Sequence, residues 1–91
     1  MPKVKKVEEK IANVEKFSKV SFYRNGVDVR GDKEDIPQYG YSSAAPSSWT
    51  IAAWRSKRFK VTYPGYDVKV FLKNGSEAAG TMKLATVRGN D

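Results

Sequence analysis

A short basic run is the part of this sequence best suited to bind a charged partner. Residues 54–60, WRSKRFK, place four cationic side chains within six positions: Arg55, Lys57, Arg58 and Lys60. Guanidinium and ammonium groups bind phosphates and carboxylates, and aromatic rings beside them can stack on bases. The whole chain is also basic, with a net charge of +7 and a sequence pI near 9.7. The expected partner is therefore acidic, either nucleic acid or an acidic protein surface.

The residue types that the chain lacks exclude several kinds of catalytic and metal site. It contains no cysteine and no histidine, so disulfides, Cys/His zinc centres, thiol nucleophiles and imidazole acid–base catalysis are ruled out. The sequence has no glycine-rich phosphate loop and no recognisable pair of nucleophile and base. The acids Asp32, Glu34 and Asp35 lack the pattern of a calcium loop. We therefore expect a non-catalytic protein with neither a cofactor nor a metal.

Length and hydropathy limit the location of the protein and the number of its domains. The chain has 91 residues, which fits one domain with one core. No apolar run approaches the 18 to 20 or so residues that cross a bilayer, and the first residues are charged where a signal peptide is apolar. We expect a single-domain cytoplasmic protein over residues 1–91. The sequence does not indicate its oligomeric state.

The first element is predicted to be an amphipathic helix within residues 1–17. Val4, Val7, Ile11 and Val14 recur at spacings of three, four and three, with Lys and Glu between them. This stripe is too short for a stable isolated coiled coil. Docking on the sheet of the same chain is favoured over docking on a partner.

Residues 19–31, KVSFYRNGVDVRG, predict a β-hairpin. Asn25-Gly26 is typical of a two-residue type I′ turn, because both turn positions require positive φ. This turn would pair Tyr23 with Asp28. One face of the hairpin is then predicted to pack on the core through four residues: Val20, Phe22, Val27 and Val29.

A long connection and a segment of ambiguous structure follow the hairpin. Residues 32–48 begin with acids and continue with small residues and prolines, which predicts a loop. The next segment, SSWTIAAWRSKRF, fits either a strand or a short helix capped by Ser47 or Ser48. We favour the helix, whose inner face would carry Ile51, Trp54 and Arg58.

From Arg58 onward, apolar and polar residues alternate in a pattern that predicts strands. Three of these, at about 58–63, 66–73 and 80–88, would form an antiparallel meander. The predicted fold class is α+β, with an N-terminal helix, an Asn-Gly hairpin and, over residues 49–88, a short helix and the three-stranded meander. The sheet could curl into a partly open small barrel.

The predicted meander would gather cations on the face turned away from the core. Arg58, Lys60, Lys69, Lys73 and Lys83 would surround an outward Phe71, with Lys60 directly opposite Lys69. A polyanion would relieve this repulsion between like charges. We therefore predict a small nucleic-acid-binding module, of the kind that serves as a phage regulator. Its contacts to DNA or RNA would come from Arg55, Lys57, Arg58, Lys60, Lys69, Phe71 and Lys83.

Four aromatic residues support an alternative function, that of an adaptor or inhibitor. Such a protein would dock on an acidic or nucleic-acid-binding surface of another protein, since aromatic residues often contribute most to binding energy. The predicted contacts are Tyr39, Tyr41, Trp49 and Trp54. Core packing is the competing role for both tryptophans, and it is favoured more for Trp54 than for Trp49.

Overall fold

The computed structural model describes residues 3–31 and 36–89 of the chain. Its elements are α1 (Val4–Glu15), β1 (Lys19–Arg24), β2 (Val27–Asp28), α2 (Ile51–Trp54), a π-helical turn (Arg55–Phe59), α3 (Lys60–Thr62), β3 (Asp67–Phe71) and α4 (Leu84–Gly89). The strands form an open antiparallel sheet in the order β2-β1-β3. The fold is therefore α+β. None of the described helices has the length and apolar character needed to cross a bilayer.

The N-terminal helix α1 docks on the core of its own chain. Val4, Val7 and Ile11 are buried in that core, as their spacing predicts. The next buried side chain on this face is Glu15, which is completely buried, whereas Val14 is only half-buried. The apolar stripe therefore ends in a charged group.

The hairpin forms at the predicted turn. Asn25 and Gly26 have φ values of 54° and 78°, and Tyr23 pairs with Asp28. The core-facing position predicted for Val27 is wrong, because Val27 is 67% exposed. This residue lies at the turn end of the hairpin, beyond the last pair that joins β1 to β3.

The central strand β1 pairs with β3 rather than with a strand of a separate meander. Phe22 lies opposite Val68, and Val20 lies opposite Val70. All four side chains are buried in the core. Within residues 36–89, β3 is therefore the only strand of this sheet.

The first and third strands of the predicted meander are wrong. The segment that contains Phe59, Val61 and Tyr63 is helical from residue 59 to 62, so Phe59 and Tyr63 lie one helical turn apart and both are buried. Val61 faces away from them and is 69% exposed. Two buried residues one helical turn apart therefore gave the same sequence pattern as the alternating residues of a strand. The segment 80–88 instead contains α4, where Leu84 and Val87 are buried at a spacing of three.

After β3 the chain turns, and only a short piece runs back beside the strand. Glu77 lies opposite Phe71, and the amide of Ala78 donates to the carbonyl of Val70 at 2.7 Å. The chain then crosses to the start of α2, where the amide of Ala52 donates to the carbonyl of Gly80 at 2.9 Å. The segment predicted as the third strand thus begins by supplying a hydrogen-bond acceptor to the first turn of α2.

The helix favoured for the segment SSWTIAAWRSKRF is present and continues to Thr62. We call residues 51–62, which comprise α2, the π-helical turn and α3, the interrupted helix. Its N-cap is Thr50, whose hydroxyl accepts from the amide of Ala53 at 3.1 Å, rather than Ser47 or Ser48. The preceding residues 36–48 form no helix or strand. Asp32, Glu34 and Asp35 lie outside the described residues.

Candidate functional site

The buried carboxylate of Glu15 joins distant segments of the chain. Its Oε2 accepts hydrogen bonds from the Tyr39 hydroxyl at 2.6 Å and from Arg58 Nη1 at 2.7 Å. Its Oε1 accepts from the Ala45 amide at 2.8 Å and from Arg88 Nη2 at 3.2 Å. A buried charge is tolerated when it is paired and its lone pairs are satisfied. Glu15 meets both conditions.

Arg88 of α4 completes what we call the Glu15 network. Its Nε donates to the backbone carbonyl of Glu15 at 2.8 Å, and its Nη1 donates to the carbonyl of Ala45 at 2.8 Å and to the Ser47 hydroxyl at 3.2 Å. One guanidinium therefore ties the C-terminal helix to the end of α1 and to the 36–48 segment.

Arg58 connects this network to the molecular surface. Its guanidinium carbon lies 4.3 Å from the ring centroid of Tyr41 and 5.9 Å from that of Trp49. The ammonium of Lys57 lies 4.8 Å from the Trp49 ring. Cations at these distances from a ring face are attracted by its quadrupole. We call Tyr41, Arg58, Trp49 and Lys57 the aromatic–cation ladder.

The ladder is partly exposed and firmly held. Tyr41, Trp49 and Arg58 are half-buried, while Lys57 is exposed. Burial lowers the pKa of Arg58, but the hydrogen bonds and charges of Glu15 and Tyr39 together outweigh this effect, and the pKa is raised overall. The guanidinium therefore stays charged, and a second acceptor at 2.7 Å, the carbonyl of Ser43, fixes it further.

The π-helical turn explains how Arg58 reaches the Glu15 network. Trp54 and Phe59 are both completely buried although they are five residues apart, one more than an α-helical turn allows. The wider turn directs Phe59 into the core and leaves Arg58 pointing toward Glu15. Such π-helical turns are uncommon and are found frequently at functional sites.

The single basic face predicted from the sequence is not present. Lys60 donates to Asp67 Oδ1 at 2.5 Å, and Lys69 Nζ lies 4.0 Å from a carboxylate oxygen of Glu77. Arg58 is paired with the buried Glu15. The error follows from the wrong meander, because residues 58–62 lie in a helix and not opposite β3.

The remaining residues of that predicted set are dispersed. Phe71 lies on β3 with Lys19 over its ring at 5.5 Å. Lys83 is exposed, and its backbone pairs with that of Thr50. Arg55 lines a separate cleft with Lys69. Only Lys57 and Arg58 of the predicted cations join the ladder.

The alternative aromatic set is divided between core and surface. Tyr39 and Trp54 are buried, and Trp54 Nε1 donates to the Tyr39 hydroxyl at 3.2 Å. The core role favoured for Trp54 is therefore confirmed, and Tyr39 shares it. Tyr41 and Trp49 remain half-exposed, so the structure combines part of each predicted set in one place.

Sequence reasoning missed Glu15 and Arg88 altogether. A signal for Glu15 was present, since it lies four residues after Ile11 and so on the buried face of α1. Arg88 had no comparable signal, because its partners lie 73 and 43 residues away in the chain.

Comparisons with known proteins add nothing to this geometry. No protein-family model, curated protein or solved structure matches the chain. Within residues 3–31 and 36–89, no group of three or more acidic side chains is arranged to hold a metal ion. The function is therefore inferred from the residues and contacts described above.

Proposed function

We propose that this chain is a small non-catalytic module that binds an acidic segment of another protein through the aromatic–cation ladder. The observation that carries the proposal is the stacking of the Arg58 guanidinium 4.3 Å from the ring of Tyr41 and 5.9 Å from that of Trp49, at a partly exposed position. Tryptophan, tyrosine and arginine are the residue types most enriched among interface residues that dominate binding energy.

The ladder is organised before any partner arrives, which favours tight binding. Arg58 is held by Glu15 and by the carbonyl of Ser43, each at 2.7 Å. A side chain fixed in this way loses little conformational freedom on association. The surface therefore suits recognition of a defined partner.

Charge favours an acidic partner. The chain carries a net charge of +7, and such an excess accelerates encounters with negatively charged surfaces. Lys57, at the exposed end of the ladder, has no acidic partner among the described residues. An aspartate or glutamate of the bound segment could pair with it.

A protein segment fits these charges better than a nucleic-acid backbone does. Lys60 and Lys69, which were expected to contact phosphates, lie beside Asp67 and Glu77. The charge of Arg58 is balanced by Glu15. A nucleic-acid backbone on the predicted basic face would therefore place phosphates beside the carboxylates of Asp67 and Glu77.

Nucleic-acid binding stays the second candidate, and one feature favours it. The half-exposed ring of Trp49 lies beside Lys57, and an aromatic ring next to a cation is a common element of single-strand binding. A base would displace the flexible Lys57 side chain from the ring, and the released ammonium would then contact a phosphate.

Capture from a cell lysate with and without nuclease separates the two candidates. The bait is the tagged full chain, compared with Trp49→Ala, Lys57→Glu and the control Lys10→Glu, which makes the same charge change on an exposed position of α1. We expect a bound protein that survives nuclease and is retained by Lys10→Glu but lost by the two ladder variants. Binding that disappears with nuclease supports the second candidate. Binding that all variants retain contradicts a role for the ladder.

A further inference from the structure

A recess separate from the aromatic–cation ladder lies on the side of the β1–β3 pair that faces away from the core. Tyr23 of β1, together with Asp67 and Lys69 of β3, contributes to its wall, and Glu77 borders it beyond β3. Arg55 enters this recess from the start of the π-helical turn. We call it the Arg55 cleft. It contains no member of the aromatic–cation ladder.

The guanidinium of Arg55 lacks a hydrogen-bond acceptor among the described residues. The side chain is half-buried, and its Nε is shielded from solvent without a partner. Arginine has five donor hydrogens, and leaving a buried donor unmatched is unfavourable. Lys60 is the main cause of the lowered pKa of Asp67, and Arg55 contributes to this effect only electrostatically. The cleft therefore has donors in excess of acceptors.

Lys69 is also incompletely paired within this cleft. Its ammonium lies 4.3 Å from the ring centroid of Tyr23 and 4.0 Å from the Glu77 carboxylate, which is beyond hydrogen-bond distance. An acceptor that entered the cleft could give both Arg55 and Lys69 a hydrogen bond that the described residues do not supply.

The charges around the cleft leave a surplus of one positive charge. Arg55 and Lys69 line the cleft together with Asp67 and Glu77. Lys60 does not line it but pairs with Asp67, so the five residues together carry three positive and two negative charges. A singly charged oxyanion balances this surplus, whereas a dianion reverses it. Burying a guanidinium is least unfavourable when its charge is compensated.

We propose that the Arg55 cleft binds one carboxylate group, held by hydrogen bonds from the Arg55 guanidinium and the Lys69 ammonium. A phosphodiester has the same charge, but a nucleic-acid strand would bring further phosphates against Asp67 and Glu77, whose side chains are 62% and 47% exposed. The ligand is therefore a small organic acid or the acidic side chain of a peptide. The site shares no residue with the ladder, so a negative result here leaves the proposed function unaffected, and the converse also holds.

NMR titration of the ¹⁵N-labelled full chain tests this site. The probes are sodium acetate, the blocked peptide acetyl-Gly-Glu-Gly-amide, its uncharged counterpart acetyl-Gly-Gln-Gly-amide, and dimethyl phosphate, each at ionic strength matched with sodium chloride. Arg55→Gln and Lys69→Gln remove the donors one at a time. Lys10→Gln removes an exposed cation of α1, outside both the cleft and the ladder.

We expect acetate or the glutamate peptide to cause saturable shifts of the amides of Tyr23, Gly26 and Lys69, which line the cleft, in the wild type and in Lys10→Gln. Arg55→Gln should weaken binding about tenfold, since it removes charged hydrogen bonds. A response to acetate identifies small acids as sufficient ligands, and a response to the glutamate peptide alone identifies an acidic side chain.

Three outcomes overturn the proposal. The first is an equal response to the glutamine peptide, and the second is a stronger response to dimethyl phosphate than to either carboxylate. The third is unchanged affinity when a donor is removed. If Arg55→Gln does not fold, Lys69→Gln decides the last outcome, because Lys69 lies on the sheet surface and is only half-buried. Glu77→Gln provides a gain-of-function check, since removal of this carboxylate should tighten binding.

Discussion

Arg55 and Arg58 lie three residues apart in the same π-helical turn, and the fold treats them in opposite ways. Arg58 donates to Glu15 and to the carbonyl of Ser43, whereas Arg55 has no acceptor among the described residues. The comparison shows that the role of a cation in a basic run depends on whether the fold provides its acceptor. The paired arginine organises a surface, and the unpaired one is available to a ligand.

Two buried tyrosines show the same contrast. The Tyr39 hydroxyl donates to Glu15 and accepts from Trp54 Nε1. The Tyr63 hydroxyl is buried in the aromatic cluster that includes Phe22 and Phe59, and no described residue forms a hydrogen bond with it. Identical side chains at similar depth should therefore contribute differently to stability.

Glu15→Gln should destabilise the protein most. The substitution removes the charge that balances Arg58 and Arg88, and breaking a buried ion pair in this way costs about 3 to 5 kcal/mol. Urea denaturation measures the free energy of unfolding. Glu9→Gln, an exposed change on the same helix, is the control and should cost less than about 0.5 kcal/mol. Equal effects of the two substitutions would contradict the importance of the Glu15 network.

Arg58→Gln and Arg55→Gln should differ in the same assay. Arg58→Gln removes charged hydrogen bonds to Glu15 and Ser43, so a loss of about 2 to 3 kcal/mol is expected. Arg55→Gln removes an unmatched buried donor and should change stability by less than about 0.5 kcal/mol. A larger loss of stability for Arg55→Gln than for Arg58→Gln would contradict the contrast between the paired Arg58 and the unpaired Arg55.

Trp49→Ala should weaken partner binding more than it weakens folding. Loss of a central aromatic residue costs about 2 kcal/mol or more of binding energy, which is about a 30-fold change in affinity. The half-buried position predicts a loss of only about 1 kcal/mol in stability. Isothermal titration with the captured partner, beside urea denaturation, measures both quantities. An unfolded variant would instead assign Trp49 to the core.

Tyr39→Phe and Tyr63→Phe should have small but unequal effects. Tyr39→Phe leaves Glu15 with one donor fewer and should cost about 1 to 2 kcal/mol. Tyr63→Phe removes a hydroxyl that has no partner in the described part of the chain, and it should be neutral or slightly stabilising. Thermal unfolding of both variants tests this. A greater loss for Tyr63→Phe would mean that its hydroxyl has a partner after all, such as a buried water.

The same tyrosines predict how stability changes at alkaline pH. Burial raises the pKa of both Tyr39 and Tyr63, and the hydrogen bond to Glu15 adds to the effect at Tyr39. As the pH rises through about 10, tyrosines of the unfolded chain therefore lose protons while these two do not. Stability should fall above that pH, and the fall should be shallower in Tyr63→Phe. An unchanged slope in Tyr63→Phe would contradict the assignment.

Local sequence patterns predicted much of the N-terminal half of the fold. The stripe of Val4, Val7 and Ile11 predicted α1, and Asn25-Gly26 predicted the hairpin turn and its register. These features depend on residues close together in the chain. The pairing of β1 with β3 could not be derived in this way, because it joins residues such as Phe22 and Val68 that are 46 positions apart.

The candidate site was predicted only in part, for two physical reasons. Phe59 and Tyr63 are buried helical residues at a spacing of four, which also fits the alternation of a strand. The sequence pattern therefore predicts a strand of the meander where the structure has a helix. The Glu15 network depends on contacts between distant segments, which decide whether a cation is free or paired. Composition identified the relevant residue types, while their grouping required the tertiary structure.

Side-chain NMR of the arginine guanidinium groups tests the contrast between Arg55 and Arg58 most directly. At low temperature in the wild-type protein, we expect hindered rotation and resolved Nη hydrogen signals for Arg58 and Arg88, because each donates from its terminal nitrogens to fixed acceptors. Arg55 should show averaged Nη signals until a carboxylate is added. Averaged signals for Arg58 together with resolved signals for Arg55 in the free protein would contradict the account.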